Sequence, residues 1–255
     1  MSAGSAPIPS LQERAEFALV NTPPGADGVR RIVPLLGRAG KDVYFSLSLA
    51  ALLRYWKVDP ADVRVRLGDA IYINAPEVTR RIPIDESGGY FVNYRFGLES
   101  SNAYGFSAML GGWDEAVRTR NVPEGLPNLA GKILLVGQAA TGLTDNGPTP
   151  FSGHSPLIVV HANVVDNILR EDYSSSAPTG WVWLGGVLIG VAGLAVFSDR
   201  RLLSQALFSL GMPAIYGAVA TYLWIDRSLW LPLVWPLLGF AGLQVFTISR
   251  RLIAE

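Results

Sequence analysis

The sequence predicts an extracytoplasmic α/β domain, a mixed sheet with hairpins and helices, followed by three transmembrane α-helices. Charge is the first ground. Residues 1–180 hold 34 of the 42 Asp, Glu, Lys and Arg residues, whereas residues 181–248 hold five in 68. Apolar runs are the second: Trp181–Phe197, Ala206–Ile225 and Leu229–Ile248 approach or reach the length that spans a hydrocarbon core of roughly 30 Å. The third is the texture of residues 1–180, where short alternating or apolar runs are broken by Gly, Pro, Asp and Asn. The expected organisation is a domain over 1–177, a three-helix region over 181–248 (181–197, 206–225 and 229–248) and a cytoplasmic stub over 249–255.

Element by element, Phe17–Val20 reads as a strand running into the turn-forming segment 21–28. Arg31–Leu36 and Val43–Phe45 flank Gly37-Arg38-Ala39-Gly40-Lys41 as a hairpin. Ser46–Trp56 places Leu47, Leu49, Ala50, Leu53, Tyr55 and Trp56 at the spacing of a short helix packed on a sheet. Val63–Val65 and Ala70–Ile73 read as strands. Arg81–Ile84 and Tyr90–Tyr94 flank Asp85-Glu86-Ser87-Gly88-Gly89, a second hairpin in which glycine is free to take positive φ. Lys132–Val136 is a continuous apolar run of the kind buried in a sheet, and Ile158–Leu169 is a helix. Alternation of the two element types makes this a mixed α/β domain.

The three apolar runs follow as helices, because lipid admits only structures that satisfy their own backbone hydrogen bonds. Arg200-Arg201 follows the first run and Arg250-Arg251 the third, while only Arg227 lies between the second and third. That bias puts the double-arginine ends in the cytoplasm. Trp181, Trp183, Trp224 and Trp230 fall at the opposite ends, where indole rings suit the headgroup layer. Residues 1–180 are therefore expected outside the cytoplasm and the C-terminus inside it, in a multi-pass protein of the cell inner membrane. Gly186 and Gly190, four apart, offer a face on which two helix backbones can approach, and a homodimer is one expected use. Pro213 and Pro236 are expected to kink the second and third helices.

Composition excludes several functions. The part before the helices has 16 basic and 18 acidic residues, net −2, which gives no electrostatic basis for nucleic-acid binding. Zero cysteines exclude disulfides, thiolate metal sites and thiol catalysis. Gly137-Gln138-Ala139-Ala140-Thr141-Gly142-Leu143-Thr144-Asp145 follows the apolar run like a phosphate-cradling turn, but lacks both the Lys-Ser ending and the three-glycine fingerprint. His154 and His161 are the only histidines, and they lack the ligand spacing of a metal centre even with Asp145 and Asp166 nearby in sequence. Ser155 has no nucleophile-elbow pattern. His161, within an apolar helix, reads as a hydrogen-bonded structural histidine. No catalytic, cofactor-binding or metal residue is assigned, no cofactor is expected, and ligand-binding residues stay unassigned.

Val20-Asn21-Thr22-Pro23-Pro24 leading to Asp27-Gly28-Val29-Arg30-Arg31, then the Phe45–Leu53 segment, resemble the type-two CHASE domain, as do several later stretches. These are Ile84-Asp85 with Phe91-Val92-Asn93-Tyr94-Arg95, Gly131-Lys132-Ile133-Leu134-Leu135-Val136-Gly137, Asp145, Thr149-Pro150-Phe151, and His161-Ala162-Asn163 before Val165–Arg170. The motifs keep the family's order over nearly all of residues 8–250, and three trailing helices match its layout. The resemblance implies an extracytoplasmic sensory module of bacterial receptors, without catalysis of its own, that responds to a small molecule or envelope state. It also implies a cytoplasmic output domain of cyclase or kinase type in the full-length protein. Against that layout the chain is expected to be a truncated receptor, part of an input domain plus its relay in the lipid bilayer. The alternatives are a fragment of an adenylate or diguanylate cyclase or histidine kinase whose catalytic domain is absent, an extracytoplasmic hydrolase using His161 with Asp145, and a structural membrane protein that docks a partner.

Overall fold

The computed structural model describes residue 10 and residues 15–140, 145–177, 179–198 and 202–254. It separates into two compact units, Met1–Tyr173 and Ser174–Glu255.

Among the described residues, the first unit carries nine strands and three α-helices: β1 (Ile32–Pro34), β2 (Leu36–Ala39), β3 (Asp42–Phe45), α1 (Leu47–Tyr55), β4 (Val63–Arg66), β5 (Ala70–Ala75), β6 (Val78–Pro83), β7 (Gly89–Phe91), α2 (Phe106–Thr119), β8 (Asn146–Thr149), β9 (Ser152–Pro156) and α3 (Ile158–Arg170). The strands form small antiparallel sheets: β1 with β7, β2 with β3, β8 with β9, and the meander β4–β5–β6. Period-two patterning fixes the meander's face, because Ile71 and Ile73 of β5 and Val78 and Ile82 of β6 point into the core. Ser46 caps α1, its hydroxyl accepting the Leu49 N–H at 3.2 Å. Leu49, Leu52 and Leu53 of α1 and Val160, Val164 and Ile168 of α3 meet Val33, Leu35 and Tyr90 in one apolar cluster.

Several expected elements take a different form. Phe17–Val20 makes one parallel bridge, Leu19 to Ser46, rather than a strand. The run Arg31–Leu36 breaks at buried Leu35, whose N–H goes to Gly88 O at 3.0 Å, so β1 and β2 join different partners. The hairpin expected around 85–89 is absent: β6 pairs with β5, and β7 crosses to β1. Asp85 redirects the chain, its Oδ1 accepting from Ser87 N and Gly89 N, both at 2.8 Å, while Gly88 takes φ +82°. Lys132–Val136 joins no sheet; Ile133 and Leu135 pack on the core while Leu134 and Val136 stay exposed. Helix α2 and the β8–β9 hairpin were not expected.

The second unit holds α4 (Thr179–Ser198), α5 (Leu202–Arg227) and α6 (Val234–Ala254). Helix α6 begins five residues later than the expected 229–248 span and continues through the expected stub, because Leu229–Trp230 (β11) pairs in parallel with Ser175–Ser176 (β10). Pro236 therefore sits in the first turn of α6, where no intrahelical donor is lost, while Pro213 is inside α5. Among the described residues one helical stretch, Leu203–Arg227, is long and apolar enough to cross a membrane; Gly180–Val196 and Val234–Thr247 are shorter apolar helices. Arg200 and Arg201, used above for orientation, lie outside the described residues.

Candidate functional site

Helix α3 organises the polar interior of the first unit. Its buried face carries Val160, Val164 and Ile168, and also His161, Asn163 and Asn167. A buried amide must find partners or cost stability. Asn163 Oδ1 accepts from Arg95 N at 2.7 Å and Phe96 N at 3.3 Å, while its Nδ2 donates to Phe96 O and Val159 O, both at 2.9 Å. One turn on, Asn167 Oδ1 accepts from Asn93 N at 2.9 Å and Nδ2 donates to Asn93 O at 2.8 Å.

These two side chains replace a neighbouring strand. Four helical residues rise about 6 Å, and two extended residues advance about 6.6 Å. Asparagines at i and i+4 therefore match every second peptide of an extended chain running the other way. Asp172, just beyond α3, finishes the clamp: it accepts from Asn93 Nδ2 at 3.0 Å and Arg95 Nε at 2.6 Å. Tyr90 lies beneath, its hydroxyl 3.5 Å from Asn167 Oδ1. Burial pushes both the Tyr90 and Tyr94 hydroxyls well above the ordinary tyrosine range, which keeps each a neutral donor.

His161 is locked from two sides. Nδ1 lies 2.9 Å from Ser48 Oγ on α1, and Nε2 lies 3.4 Å from Val20 O. A carbonyl only accepts, so the neutral ring carries its proton on Nε2 and takes the Ser48 hydroxyl proton on Nδ1. Burial lowers the His161 pKa, opposed by the Val20 bond and the charge of Asp145. Both nitrogens are occupied by structural partners, as expected of a structural histidine. Asp145 influences the ring by its charge without appearing among those partners.

A second group of contacts surrounds the 21–31 segment. Asp27 Oδ2 takes Arg31 at 2.6 Å, which with the Val29 N–H holds the Asp27 carboxyl below its usual range. Arg30 donates its backbone N–H to Pro148 O at 3.1 Å and its Nε–H to Thr22 O at 2.8 Å; its carbonyl accepts the Tyr94 hydroxyl at 2.8 Å. Tyr94 in turn meets Phe151 edge to face at 6.4 Å. Resembling stretches far apart in sequence (Thr22, Arg30, Tyr94 and Thr149-Pro150-Phe151) thus belong to one neighbourhood.

The other residues singled out from sequence do not converge. His154 is exposed on β9, with Nδ1 2.8 Å from its neighbour Gly153's carbonyl. Asp166 pairs with Arg170 at 2.7 Å. Among the described residues no group of three or more His, Asp or Glu side chains is placed to hold a metal ion. Gly137 serves close approach, since a Cβ there would lie 2.6 Å from Ile158 Cβ; residues 141–144 of that loop lie outside the described residues. The asparagine clamp was not anticipated. Its signal was Asn163 and Asn167 at helical spacing on an otherwise apolar face.

The described residues thus comprise an α/β unit with a polar interior organised by α3 and a unit of apolar helices. The chain belongs to the CHASE2 domain family, whose family model matches residues 4–196. CHASE2 domains are extracytoplasmic sensor domains of signalling receptors, not catalytic domains. No curated protein and no solved structure matches the chain.

Proposed function

We propose that this chain is the sensory input and transmembrane relay of a bacterial receptor of the inner membrane. On this reading residues 1–177 sense a small molecule or an envelope state outside the cytoplasm. Helices α4, α5 and α6 cross the bilayer, and the C-terminus faces a cytoplasmic output domain of cyclase or kinase type. A ligand shifts such a relay only by binding its two states with different affinity.

The outward apolar surface of the helices carries the reading. Trp181, Trp183, Leu210, Ile225 and Trp235 each stay more than 70% exposed, and the most apolar stretch of α5 is only 6% buried. Water does not tolerate that much contiguous apolar surface, whereas lipid does. The β10–β11 pairing supports a shared interface for the tryptophans. Ser175 N–H to Ser228 O at 3.0 Å and Ala177 N–H to Trp230 O at 2.9 Å bring the lead into α4 beside the α5–α6 turn. Trp181 and Trp183 thereby come to the same end as Trp224 and Trp230. A Cβ at Gly186 or Gly190 would meet nothing within 4 Å, so that face is open to a second copy in a homodimer.

The cysteine-free sequence permits a direct test. In spheroplasts, a membrane-impermeant maleimide should label Ala61→Cys, on the exposed turn after α1, and should spare Ser249→Cys until the membrane is permeabilised. Labelling with the opposite sidedness would overturn the topology.

A further inference from the structure

Helix α2 buries none of its residues, yet its apolar side chains are ordered. Met109, Gly112 and Ala116 are each half-buried, and a Cβ at Gly112 would collide with Leu126, so this side rests on the domain. Beside it Phe106, Leu110, Trp113 and Val117 form a separate stripe, exposed by 58%, 54%, 39% and 77%. Their spacing of four, three and four residues is that of a seam on which one helix packs against another. The stripe spans only about 60° of the helix, whereas a face that covers a core spans about 100° or more. Ser107 and Asp114 bound it, and Asp114 is paired with Arg118 at 3.1 Å. With Asp114 and Glu115 against Arg118, the polar side of α2 lacks the excess of Lys and Arg that draws an amphipathic helix to lipid.

The stripe is complementary to itself. Its spacing reads the same in both directions, so an antiparallel second copy sets Phe106 against Val117 and Trp113 against Leu110. Each layer then pairs a large side chain with a smaller one. A parallel copy would set Trp113 on Trp113 and Phe106 on Phe106. Antiparallel packing also brings Asp114 beside Ser107 of the second copy, a hydroxyl donor rather than another carboxylate.

We propose that α2 is a self-pairing helix, which joins two copies of this chain outside the membrane in an antiparallel, two-fold contact. Such a contact uses the same patch on both copies, as a closed dimer requires. The four side chains expose about 400 Å² per copy, short of the roughly 800 Å² face of a stable soluble dimer. Two copies confined to one bilayer need less area, because confinement raises their effective concentration. The assignment rests on the reading above in that one respect.

The test uses the full chain in native membranes, with single cysteines in the cysteine-free sequence and a short bismaleimide. In the antiparallel pair the two copies of residue 110 are offset by about 4.5 Å along the helices, and those of residue 106 by about 16 Å. Leu110→Cys should therefore cross-link to itself. Phe106→Cys should not, but should cross-link to Val117→Cys on a differently tagged copy. Glu115→Cys, on the opposite side of α2, should give no dimer. Val117→Glu alters the most exposed seam position, so the single chain folds as before, and it should cut the Leu110→Cys cross-link at least fivefold. The proposal falls if Leu110→Cys gives no dimer, if Val117→Glu leaves the yield unchanged, or if Phe106→Cys and Leu110→Cys self-cross-link equally, as in a parallel pair. No cross-link together with protection of Leu110→Cys by lipid would assign the stripe to the bilayer surface instead. The maleimide experiment reads topology in monomer and dimer alike, so correct sidedness without the cross-link would refute this pairing and leave the sensory reading standing.

Discussion

Asn163→Ala isolates the clamp between α3 and the extended segment at 93–96. The substitution keeps helix propensity high, so its cost comes from the groups it strands. Those are the N–H groups of Arg95 and Phe96 and the carbonyl of Phe96; Val159 O remains within the helix. An unsatisfied buried polar group costs about 1–3 kcal/mol, and if water reaches one of the three, the net loss is about 3 kcal/mol. For a domain of this size each kcal/mol lowers the midpoint by about 2–4 °C, so the transition should drop by about 6–12 °C. Intrinsic fluorescence of the full chain follows that shift. Hydrogen exchange gives the local readout: the Arg95 and Phe96 amides should exchange much faster while those of β5 keep their protection. Asn163→Asp sharpens the test, because it keeps an acceptor for the two N–H groups but turns a second oxygen toward Phe96 O. It should also destabilise, despite its near-identical shape. A midpoint within about 2 °C of wild type for Asn163→Ala, with exchange at 95 and 96 unchanged, would refute the clamp as a source of stability.

Three further outcomes follow from particular contacts. His161 has a folded-state pKa below its ordinary value of 6.5, so the unfolded chain takes up the proton first. The stability this provides is present above pH 6.5 and is lost as pH falls through the lower folded pKa. The gap in unfolding free energy between wild type and His161→Gln should therefore narrow from pH 7 to pH 5; a constant gap would mean that burial of the neutral ring has no part in it. Gly88 and Gly40 both have positive φ, but a Cβ at Gly88 would lie 3.1 Å from Leu36 Cγ, whereas one at Gly40 meets nothing within 4 Å. Each alanine should cost about 1–2 kcal/mol for the backbone, with Gly88→Ala the more damaging in denaturant titration; equal costs would show that Leu36 yields freely. In the helical unit, a Cβ at Gly193 would lie 3.0 Å from Leu243 and 3.3 Å from Phe208. Gly193→Leu should thus lower the thermal midpoint in detergent more than Gly190→Leu, and the reverse order would contradict this packing.

What was legible in the sequence divides by the range of the forces involved. Helices α1 and α3 and strands β4 and β5 were readable because each is set by local signals: a Ser46 cap, a 3.6-residue apolar period, alternation; a hairpin ending at Phe45 was readable too, but β2 occupies 36–39, where the turn was expected, in place of 31–36. Pairing that depends on distant partners was not. The loop at 85–89 carries every local mark of a hairpin, yet the carboxylate of Asp85 folds it so that β7 reaches β1 instead. Lys132–Val136 has the composition of a doubly covered strand, but composition states a preference for burial and cannot supply a neighbour. The helical unit shows a similar limit: hydropathy located the third apolar run, whereas the start of α6 was shifted by backbone pairing between β10 and β11.

The clamp shows how such a site becomes readable once two local facts are joined. Segment 92–96 joins no sheet although Val92 and Asn93 are buried, and its backbone donors and acceptors must go somewhere. Helix α3 places Asn163 and Asn167 on a face otherwise built from valine and isoleucine, and those amides must go somewhere too. Each segment alone poses an unsolved hydrogen-bonding problem, and the helical rise over four residues makes each the solution to the other. Tyr94, between the two clamped residues, donates to the Arg30 carbonyl, so the hold that α3 exerts on 93–96 extends to the segment around Arg30.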